Sequence, residues 1–339
     1  MTTARERSLG TFLAAIRRIR PRVLLLAVTA VAIGTLPAFG QTYPDKPLRV
    51  IITFAPGGPA DILARMLQPK LTESLGQPLV IDNRPGAGGT IAEALLAKSA
   101  PDGYTLMMSG DSGPANAHLY RGVSYDLFRD LLPVSLISQV PLALLVNPSV
   151  PAATLAEFVA YARSRPGQLS YGSPGTGTTS HLYVELFKGL AGIEMTHVPY
   201  KGGAPVMADL IGGQIQTLLL SVTLSAPQVR SGKVRPIAMT GEKRSPMLPQ
   251  VPTFGESGYP DLKTSTWTGL FLPAGTPNAI VQRLHAEFSK AVHAPDNEAR
   301  VRQLGAEVVM SSPAEFAALL RAEHERLGKI IRERKISAN

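Results

Sequence analysis

Apolar and polar positions beyond residue 40 form two kinds of segment that alternate along the chain. Short apolar runs rich in β-branched residues, such as residues 48–54, predict buried strands. A glycine-rich loop follows, and then a segment whose apolar residues recur every three or four positions, which predicts an amphipathic helix. The first such stripe contains Ile62, Leu63, Met66, Leu67, Leu71 and Leu75.

The first run of this pattern predicts strands at residues 48–54, 79–82 and 104–108, with helices between them. Gly76 is a plausible end for the first helix, and Pro69 should kink or shorten it. The second helix is predicted at residues 90–98. Strands that alternate with helices imply parallel pairing through right-handed crossovers, so this part of the chain is predicted to be α/β.

The same pattern begins again near Thr154, which forms a predicted capping box with Glu157. It predicts strands at residues 169–171, 194–198 and 215–220, and helices from 180 and over 204–211. The apolar stretch 134–146 suits a strand that crosses from one lobe to the other. A strand at 269–272 and helices near 277–292 and 312–332 should return to the first lobe, after an irregular connection at 245–260.

The 339 residues are too many for one small core and suit two lobes. We expect residues 1–40 to be a signal peptide, residues 41–142 and 265–339 to form lobe 1, and residues 143–264 to form lobe 2. The hydrophobic content of 45% with 17% charged residues describes a packed globular chain. The sequence has no cysteine, which excludes disulfides and thiolate metal sites.

The net charge of +9 is concentrated at the N-terminus. Residues 1–40 hold six arginines and one glutamate, a net of +5, which leaves +4 dispersed over the remainder. No run of lysine or arginine marks a nucleic-acid surface there, so we expect no nucleic-acid partner. The dispersed positive charge helps to attract anions.

The N-terminal segment has the three parts of a secretory signal. An arginine-rich region ends near Arg22, an apolar stretch covers residues 23–36, and small residues precede a cleavage site near Gly40/Gln41. We therefore expect export to the periplasm. An uncleaved membrane anchor is the alternative, although the apolar stretch is shorter than a bilayer span. Arg17 and Arg18 raise twin-arginine export as a further alternative, in a poor context.

Glycines cluster at the predicted strand-to-helix loops, where open α/β sheets bind ligands. Glycine lets backbone amides approach an anion, and a helix N-terminus adds about half a positive charge. Four such loops facing one cleft would hold a carboxylate without arginine, although any single loop can be a tight turn. The glycines are Gly57, Gly58, Gly86, Gly88, Gly89, Gly172, Gly175, Gly177, Gly202 and Gly203.

Hydroxyl groups surround the glycine loop of the second lobe and suit carboxylate oxygens and ordered water. Each of them can equally be a helix cap. His181, just inside the predicted helix, can donate to an anion or pack. These hydroxyls belong to Ser173, Thr176, Thr178, Thr179 and Ser180.

Several segments imitate catalytic or cofactor motifs without their context. Residues 110–114 (GDSGP) resemble the nucleophile segment of trypsin-like proteases but lack the second glycine. There is no G-x-S-x-G elbow, P-loop, dinucleotide fingerprint or H-E-x-x-H metal motif, so we predict no cofactor and no metal. His285, His293 and His324 are predicted to be solvated on polar helix faces. Trp267 is predicted to pack in the core or a hinge.

A set of motifs in order along almost the whole chain resembles the Bug family, the solute receptors of tripartite tricarboxylate transporters. Together the motifs are far more specific than any one alone. They are residues 43–49 (YPDKPLR), 54–61 (FAPGGPAD), 83–89 (NRPGAGG), 102–106 (DGYTL), 171–177 (YGSPGTG), 197–203 (HVPYKGG) and 273–277 (PAGTP).

The resemblance implies a two-lobed periplasmic-binding-protein, or flytrap, fold that closes over a small organic acid. Two mixed or parallel sheets flanked by helices would enclose the ligand cleft. The loops at 54–61 and 173–181 would clamp a carboxylate through backbone groups, hydroxyls and water. The expected ligand-binding residues are Phe54, Pro56, Gly57, Gly58, Asp61, Ala87, Gly88, Ser109, Ser173, Gly175, Thr176, Gly177, Thr178, His181 and Tyr200.

Two segments depart from the family pattern. Many relatives have an acid at the position of Gln216, and often another at that of Leu220. An acid near Leu220 could pair with the ammonium group of an amino acid, whereas leucine cannot. This departure predicts a ligand without an ammonium group, such as a di- or tricarboxylate or an aromatic acid. Residues 109–116 also differ from the family, which leaves their part in specificity open.

The sequence therefore predicts a periplasmic receptor, not an enzyme, that captures a small organic carboxylate as a monomer. It would deliver the ligand to the membrane subunits of a tripartite tricarboxylate transporter. A sensory receptor that presents the ligand to a signalling protein would have the same fold and pocket. The rival from another class is an exported hydrolase that uses Ser112 or Ser173 with His181.

Overall fold

The computed structural model describes residues 43–337, and the predicted signal peptide lies outside these residues. Two mixed β-sheets flanked by helices make up the fold, as the sequence predicted. In the first sheet β2, β1 and β3 are parallel, and β10, β4 and β11 extend it in antiparallel pairs. Its strands are β1 (Leu48–Ile52), β2 (Leu79–Asn83), β3 (Thr105–Ser109), β4 (Leu131–Val140), β10 (Thr266–Pro273) and β11 (Glu307–Val308).

The second sheet has five strands in the order β7-β6-β8-β5-β9. The pairs β7–β6 and β6–β8 are parallel, whereas β5 is antiparallel to both β8 and β9. Its interior strand β5 is buried at every position, as its uninterrupted apolar run implies. The strands are β5 (Leu142–Val146), β6 (Leu169–Ser173), β7 (Met195–Pro199), β8 (Thr217–Ser221) and β9 (Arg235–Met239).

Eleven α-helices in the described part of the chain cover the sheets. They are α1 (Pro59–Leu75), α2 (Thr90–Ala97), α3 (Gly113–Leu119), α4 (Leu127–Asp130), α5 (Leu155–Arg163), α6 (Thr179–Ala191), α7 (Gly203–Ile211), α8 (Val222–Arg230), α9 (Asn278–Val292), α10 (Pro295–Gln303) and α11 (Pro313–Glu333).

The apolar stretch predicted to cross between the lobes does so as two strands. β4 ends at Val140 in the first sheet and β5 begins at Leu142 in the second, because Pro141 interrupts the ladder between them. The chain returns through β10, which inserts between β3 and β4 of the first sheet. Between β9 and β10, residues 240–265 contain no helix or strand, in agreement with the predicted irregular connection.

Pro69, predicted to kink or shorten the first helix, does not shorten it. α1 continues from Pro59 to Leu75 with Pro69 inside it, and Gly76 ends it in a left-handed conformation. Proline removes one hydrogen bond to the carbonyl four residues earlier, that of Arg65. Because Pro69 and Arg65 lie on the exposed face, water can satisfy that carbonyl while the opposite face stays buried.

Two histidines predicted to be solvated are partly buried. His324 Nδ1 lies 2.9 Å from the carbonyl oxygen of Pro114, and its ring stacks on that of His118 at a centroid distance of 4.2 Å. His285 Nε2 lies 3.0 Å from the carbonyl oxygen of Ser311. His293 is exposed, as predicted. The helical pattern marks these positions as polar, but it does not show which neighbouring helix covers them.

The last helix contributes to the packed core of both sheets. Phe316 and Leu320, near its start, pack with Trp267 and Phe271 of β10. Leu327, Ile330 and Ile331, near its end, belong to the hydrophobic cluster that contains α5, α6 and strands of the second sheet. The lobe boundary predicted at residue 265 therefore does not separate every packing contact, because α11 joins both cores.

Candidate functional site

A cavity of about 140 Å³ lies where loops from both sheets meet. Its wall comes largely from the carboxyl ends of parallel strands, namely the loops after β1, β3, β6 and β7 and the end of β8. Ligands of open α/β sheets bind at this edge. The lining residues are Phe54, Ala55, Pro56, Gly57, Gly58, Pro59, Ala60, Asp61, Gly110, Asp111, Leu142, Pro174, Thr178, Ser180, Lys201, Gly202, Gly203, Ala204, Pro205, Leu220, Ser221, Leu224, Thr266, Trp267 and Thr268.

The loop after β1 presents the start of α1 to the cavity. Gly58 is the N-cap of this helix, and no side chain caps its first turn. Gly57 has a φ of +85°, which glycine adopts without strain. The first-turn amides of α1 and the positive end of its dipole are therefore suited to an anionic group.

Asp61 borders the cavity and holds this loop in shape. Its carboxylate accepts hydrogen bonds from Gly57 N at 3.0 Å, from Arg65 Nε at 3.0 Å and from Asn83 Nδ2 at 3.1 Å. Burial by itself raises the pKa of Asp61, but these hydrogen bonds and the charge of Arg65 outweigh burial and lower it. Ionised Asp61 therefore links the loop to α1 and β2 through hydrogen bonds.

The loop after β7 forms the opposite wall. Gly202 is the N-cap of α7 with a φ of +128°, and again no side chain caps the helix. Gly202 N donates to the carbonyl oxygen of Pro174 at 2.9 Å, which ties this loop to the one after β6. A Cβ atom at Gly202 would lie 3.9 Å from Cβ of Ala55, so glycine loops of the two sheets approach each other across the cavity.

Two buried histidines hold the loop after β6 in place. Gly177 N donates to His181 Nδ1 at 3.1 Å, and Ser173 Oγ lies 2.7 Å from His197 Nε2. The two imidazole rings stack at a centroid distance of 3.8 Å. Burial, with the charges of His197 and Lys188, lowers the pKa of His181 to about 3, and burial lowers the pKa of His197 to about 4. Both rings are neutral at pH 7.

We expect this pair to make the protein acid-sensitive. Because each folded-state pKa lies below the unfolded value of about 6.5, the histidines stabilise the fold above pH 6.5, and this stability is lost as the pH falls toward 4. At pH 5 the loss is about 1–2 kcal/mol for each histidine. His197→Gln should show a smaller loss between pH 7.5 and 5.0 in urea unfolding. Coincident pH profiles of the variant and the wild type would contradict this, and the exposed His293→Gln is the control.

Six of the residues predicted to bind ligand border the cavity. Four come from the loop after β1, the fifth is Asp61 and the sixth is Thr178, the N-cap of α6. Thr178 Oγ1 donates to the carbonyl oxygen of Gly175 at 2.8 Å, which shapes the loop beside the cavity. The six are Phe54, Pro56, Gly57, Gly58, Asp61 and Thr178.

The other predicted residues lie around the cavity without bordering it. In the turn before α2, the carbonyl oxygen of Gly88 accepts a hydrogen bond from Ser112 Oγ at 2.6 Å. Tyr200 OH donates to Asp209 at 2.7 Å, and Ser109 Oγ lies 3.4 Å from Thr53 Oγ1. These residues support the loops that form the wall. They are Ala87, Gly88, Ser109, Ser173, Gly175, Thr176, Gly177, His181 and Tyr200.

Two polar residues in the cavity wall that the sequence did not indicate have an unpaired buried oxygen. Asp111 and Ser221 are 6% and 3% exposed, and each has a buried oxygen, Oδ2 and Oγ respectively, without a hydrogen-bond partner. Asp111 drew attention in the sequence only as part of a protease-like motif, and Ser221 only as the end of an apolar strand. Buried polar atoms are normally hydrogen-bonded, so unpaired ones beside a cavity mark it as a candidate ligand site.

The serines considered as hydrolase nucleophiles are fully buried. Ser112 and Ser173 are each 0% exposed, and neither borders the cavity. Ser112 Oγ donates to a backbone carbonyl, and the imidazole hydrogen-bonded to Ser173 belongs to His197 instead of His181.

Residues 43–337 contain no cluster of three or more metal-ligating side chains. Among the same residues, no helix has the length and apolarity to cross a bilayer.

Comparison with known proteins agrees with this architecture. Residues 63–336 match the model of the tripartite tricarboxylate transporter family receptor. The structure of Rpa4515 from R. palustris with adipate is 37% identical, with a TM-score of 0.83 over 87% of this chain and 99% of that one. MatC from Rhodopseudomonas palustris, with bound malate, is 34% identical, with a TM-score of 0.80 over 85% and 100%.

The periplasmic binding protein BugD is also similar. It is 31% identical to this chain, with a TM-score of 0.82 over 87% of this chain and 99% of BugD. The neighbours are binding proteins of two-lobed α/β fold, and the family model spans most of the chain. The chain belongs to the Bug family of tripartite tricarboxylate transporter receptors.

Proposed function

We propose that the protein is a periplasmic solute-binding receptor that captures a small organic carboxylate for a tripartite tricarboxylate-type transporter. The observation that carries this proposal is the cavity between two glycine loops and the uncapped starts of α1 and α7. Two helix N-termini that face one small cavity favour an anionic group there. The secretory pattern at residues 1–40 supports the periplasmic location.

The wall of the cavity suits the carbon skeleton of an organic acid. Leu142, Leu220, Leu224 and Trp267 give it an apolar side, while the loop amides and Ser221 give it polar groups. Ligand sites of this kind combine a mainly apolar lining with a few placed polar groups. Di- and tricarboxylates and aromatic acids fit this description, and structures of similar receptors hold adipate and malate.

The proposed receptor binds its ligand without chemical change. Both serines considered as nucleophiles are buried away from the cavity, which supports this part of the proposal. The family relationship supports a membrane transporter as the partner. A sensory protein that reads the ligand-bound form would need the same cavity, and the transporter is preferred because the family is defined by it.

A thermal-shift screen of the mature protein against a panel of organic acids tests the proposal. A ligand present at 100 times its dissociation constant stabilises the folded state by about 2.7 kcal/mol. We expect a marked rise in Tm for at least one carboxylate and no change for its methyl ester or amide. A panel without any stabilising acid, or a ligand that is consumed on incubation, would count against a carboxylate receptor.

We expect Ser221→Ala to weaken binding of the carboxylate found in the screen by about 3- to 10-fold. A neutral hydrogen bond to the ligand contributes about 0.5–1.5 kcal/mol to binding. The Ser221 hydroxyl has no hydrogen-bond partner within the protein, so its removal breaks no bond of the ligand-free state. The stability of the ligand-free protein should therefore stay within about 0.5 kcal/mol of the wild type. Isothermal titration calorimetry and urea unfolding measure the two effects.

Ser225→Ala is the matched control, because this buried serine lies on α8 with its hydroxyl already bonded. Ser225 Oγ donates to the carbonyl oxygen of Ser221 at 2.9 Å. Loss of this hydrogen bond in Ser225→Ala should lower the stability of the fold and leave the ligand affinity of the folded protein nearly unchanged. Equal affinity of Ser221→Ala and the wild type would remove Ser221 from the proposed site.

A further inference from the structure

Asp111 is a buried carboxylate in the cavity wall that lacks a partner for one oxygen. It follows β3 in the loop that leads to α3 and is 6% exposed. The hydroxyls of Thr179 and Thr266 lie near the carboxylate and act to lower its pKa, whereas Oδ2 has no hydrogen-bond partner. Thr179 begins α6 and Thr266 begins β10, so the side chain lies between elements of both sheets.

The surroundings of Asp111 supply no positive charge to match it. Among residues 43–337, no lysine or arginine forms an ion pair with Asp111, and the charged group that acts on it most is Glu323 of α11, which repels it. Burial raises the pKa of Asp111, and the nearby hydroxyls of Thr179 and Thr266 reverse only part of that effect. Of the other charged residues that border the cavity, Asp61 is held by Arg65 and Lys201 is exposed.

A buried carboxylate without a countercharge is costly, and a protein retains one at low cost only when something else pairs with it. Here Asp111 borders the cavity that we propose for the ligand, and its buried Oδ2 has no hydrogen-bond partner. An ammonium group on the ligand would supply both the missing hydrogen-bond donor and the missing charge. A carboxylate at the other end of the same ligand would face the N-termini of α1 and α7.

We propose that Asp111 makes this receptor select a carboxylate that also carries an ammonium group, such as a small amino acid. This inference rests on the proposed function and narrows its ligand class. The expectation of a ligand without an ammonium group followed from Leu220 alone. In the structure Leu220 and Asp111 border the same cavity, so the acid that β8 lacks is provided from the loop after β3.

Matched ligand pairs test the role of Asp111 by isothermal titration calorimetry. The pairs are succinate and aspartate, glutarate and glutamate, and adipate and 2-aminoadipate, which differ by one ammonium group. We expect the amino member of at least one pair to bind the wild type at least 10-fold more tightly. In Asp111→Asn that advantage should fall below 3-fold, because the neutral amide keeps the shape and loses the charge.

The possible outcomes separate this inference from the proposed function. If the plain diacids bind the wild type as tightly as their amino partners, the receptor proposal stands and the role of Asp111 is overturned. The same holds if a diacid binds best and its affinity falls as the pH rises, since a protonated Asp111 would then be the donor. Binding by neither member of any pair, together with a failed organic-acid screen, would overturn both.

A second measurement needs no ligand. Because Asp111→Asn removes an unpaired buried charge, we expect the ligand-free variant to melt at the same temperature as the wild type or higher at pH 7.5. The folded-state pKa of Asp111 is raised, so its buried charge destabilises the fold above that pKa. This loss of stability disappears as the pH falls and Asp111 is protonated. The difference in Tm should therefore shrink toward pH 4. A variant that melts several degrees lower at pH 7.5 would show that Asp111 is structural.

Discussion

Replacing Gly177 by valine is expected to weaken ligand binding by about 10- to 100-fold. Gly177 lies in the loop after β6, and a Cβ atom at this position would lie 2.4 Å from Cδ1 of Leu119 on α3. The new side chain would push the loop of the second sheet away from a helix that follows β3 of the first. Overpacking of this kind costs about 1–3 kcal/mol, and opening the cavity relieves it. Calorimetric titration with the carboxylate found by screening measures the change.

Gly167→Val provides the matched control for this experiment. Both glycines have positive φ angles, +84° at Gly177 and +72° at Gly167, so both variants carry similar backbone strain. A Cβ atom at Gly167 would have no neighbour within 4 Å. Gly167→Val should therefore lose stability but keep its affinity. Equal affinities of the two variants would show that the contact with Leu119 does not limit binding.

The largest loss of stability is expected for Phe158→Ala, at about 3–5 kcal/mol. Phe158 lies on α5 with no exposed surface, in the hydrophobic cluster that contains β5, α6 and the end of α11. Truncation removes buried apolar surface and leaves a cavity that the surrounding side chains cannot fill. Urea unfolding followed by circular dichroism gives the difference in free energy directly.

Val80→Ala is the control for this measurement. Val80 lies on β2 and is 53% exposed, so the substitution should change the free energy of unfolding by less than about 0.5 kcal/mol. A loss below about 1 kcal/mol for Phe158→Ala would mean that the cluster repacks around the smaller side chain. Phe158 does not border the ligand cavity, so the ligand affinity of the folded variant should change little.

Periodicity was sufficient to predict most of the sheet and helix order. The β-branched run at β1 and the uninterrupted apolar run around β5 could each be interpreted locally, because such strands are buried on both faces. Helices with weak patterns were missed. α8 contains Pro227, and α10 is strongly polar with two buried residues, so neither has an apolar stripe that marks it in the sequence.

Part of the cavity could also be predicted from the sequence, through the glycines of its loops. Glycines at strand ends indicated the loops after β1 and β7, because their backbone geometry is encoded locally. Asp111 and Ser221 are 110 positions apart and meet at one cavity only because the two sheets place the ends of β3 and β8 together. Whether their oxygens have partners depends on distant residues, which no local pattern in one sequence reveals.

The packing of the last helix, α11, against both cores affects how the protein unfolds. Its first turns pack with β10 and its last turns with α5 and α6, so melting this one segment removes side chains from both hydrophobic interiors. Neither half can therefore unravel while the other keeps all of its contacts. The two sheets should denature as one cooperative unit, and proteolysis within α11 should threaten the whole receptor instead of one side of it.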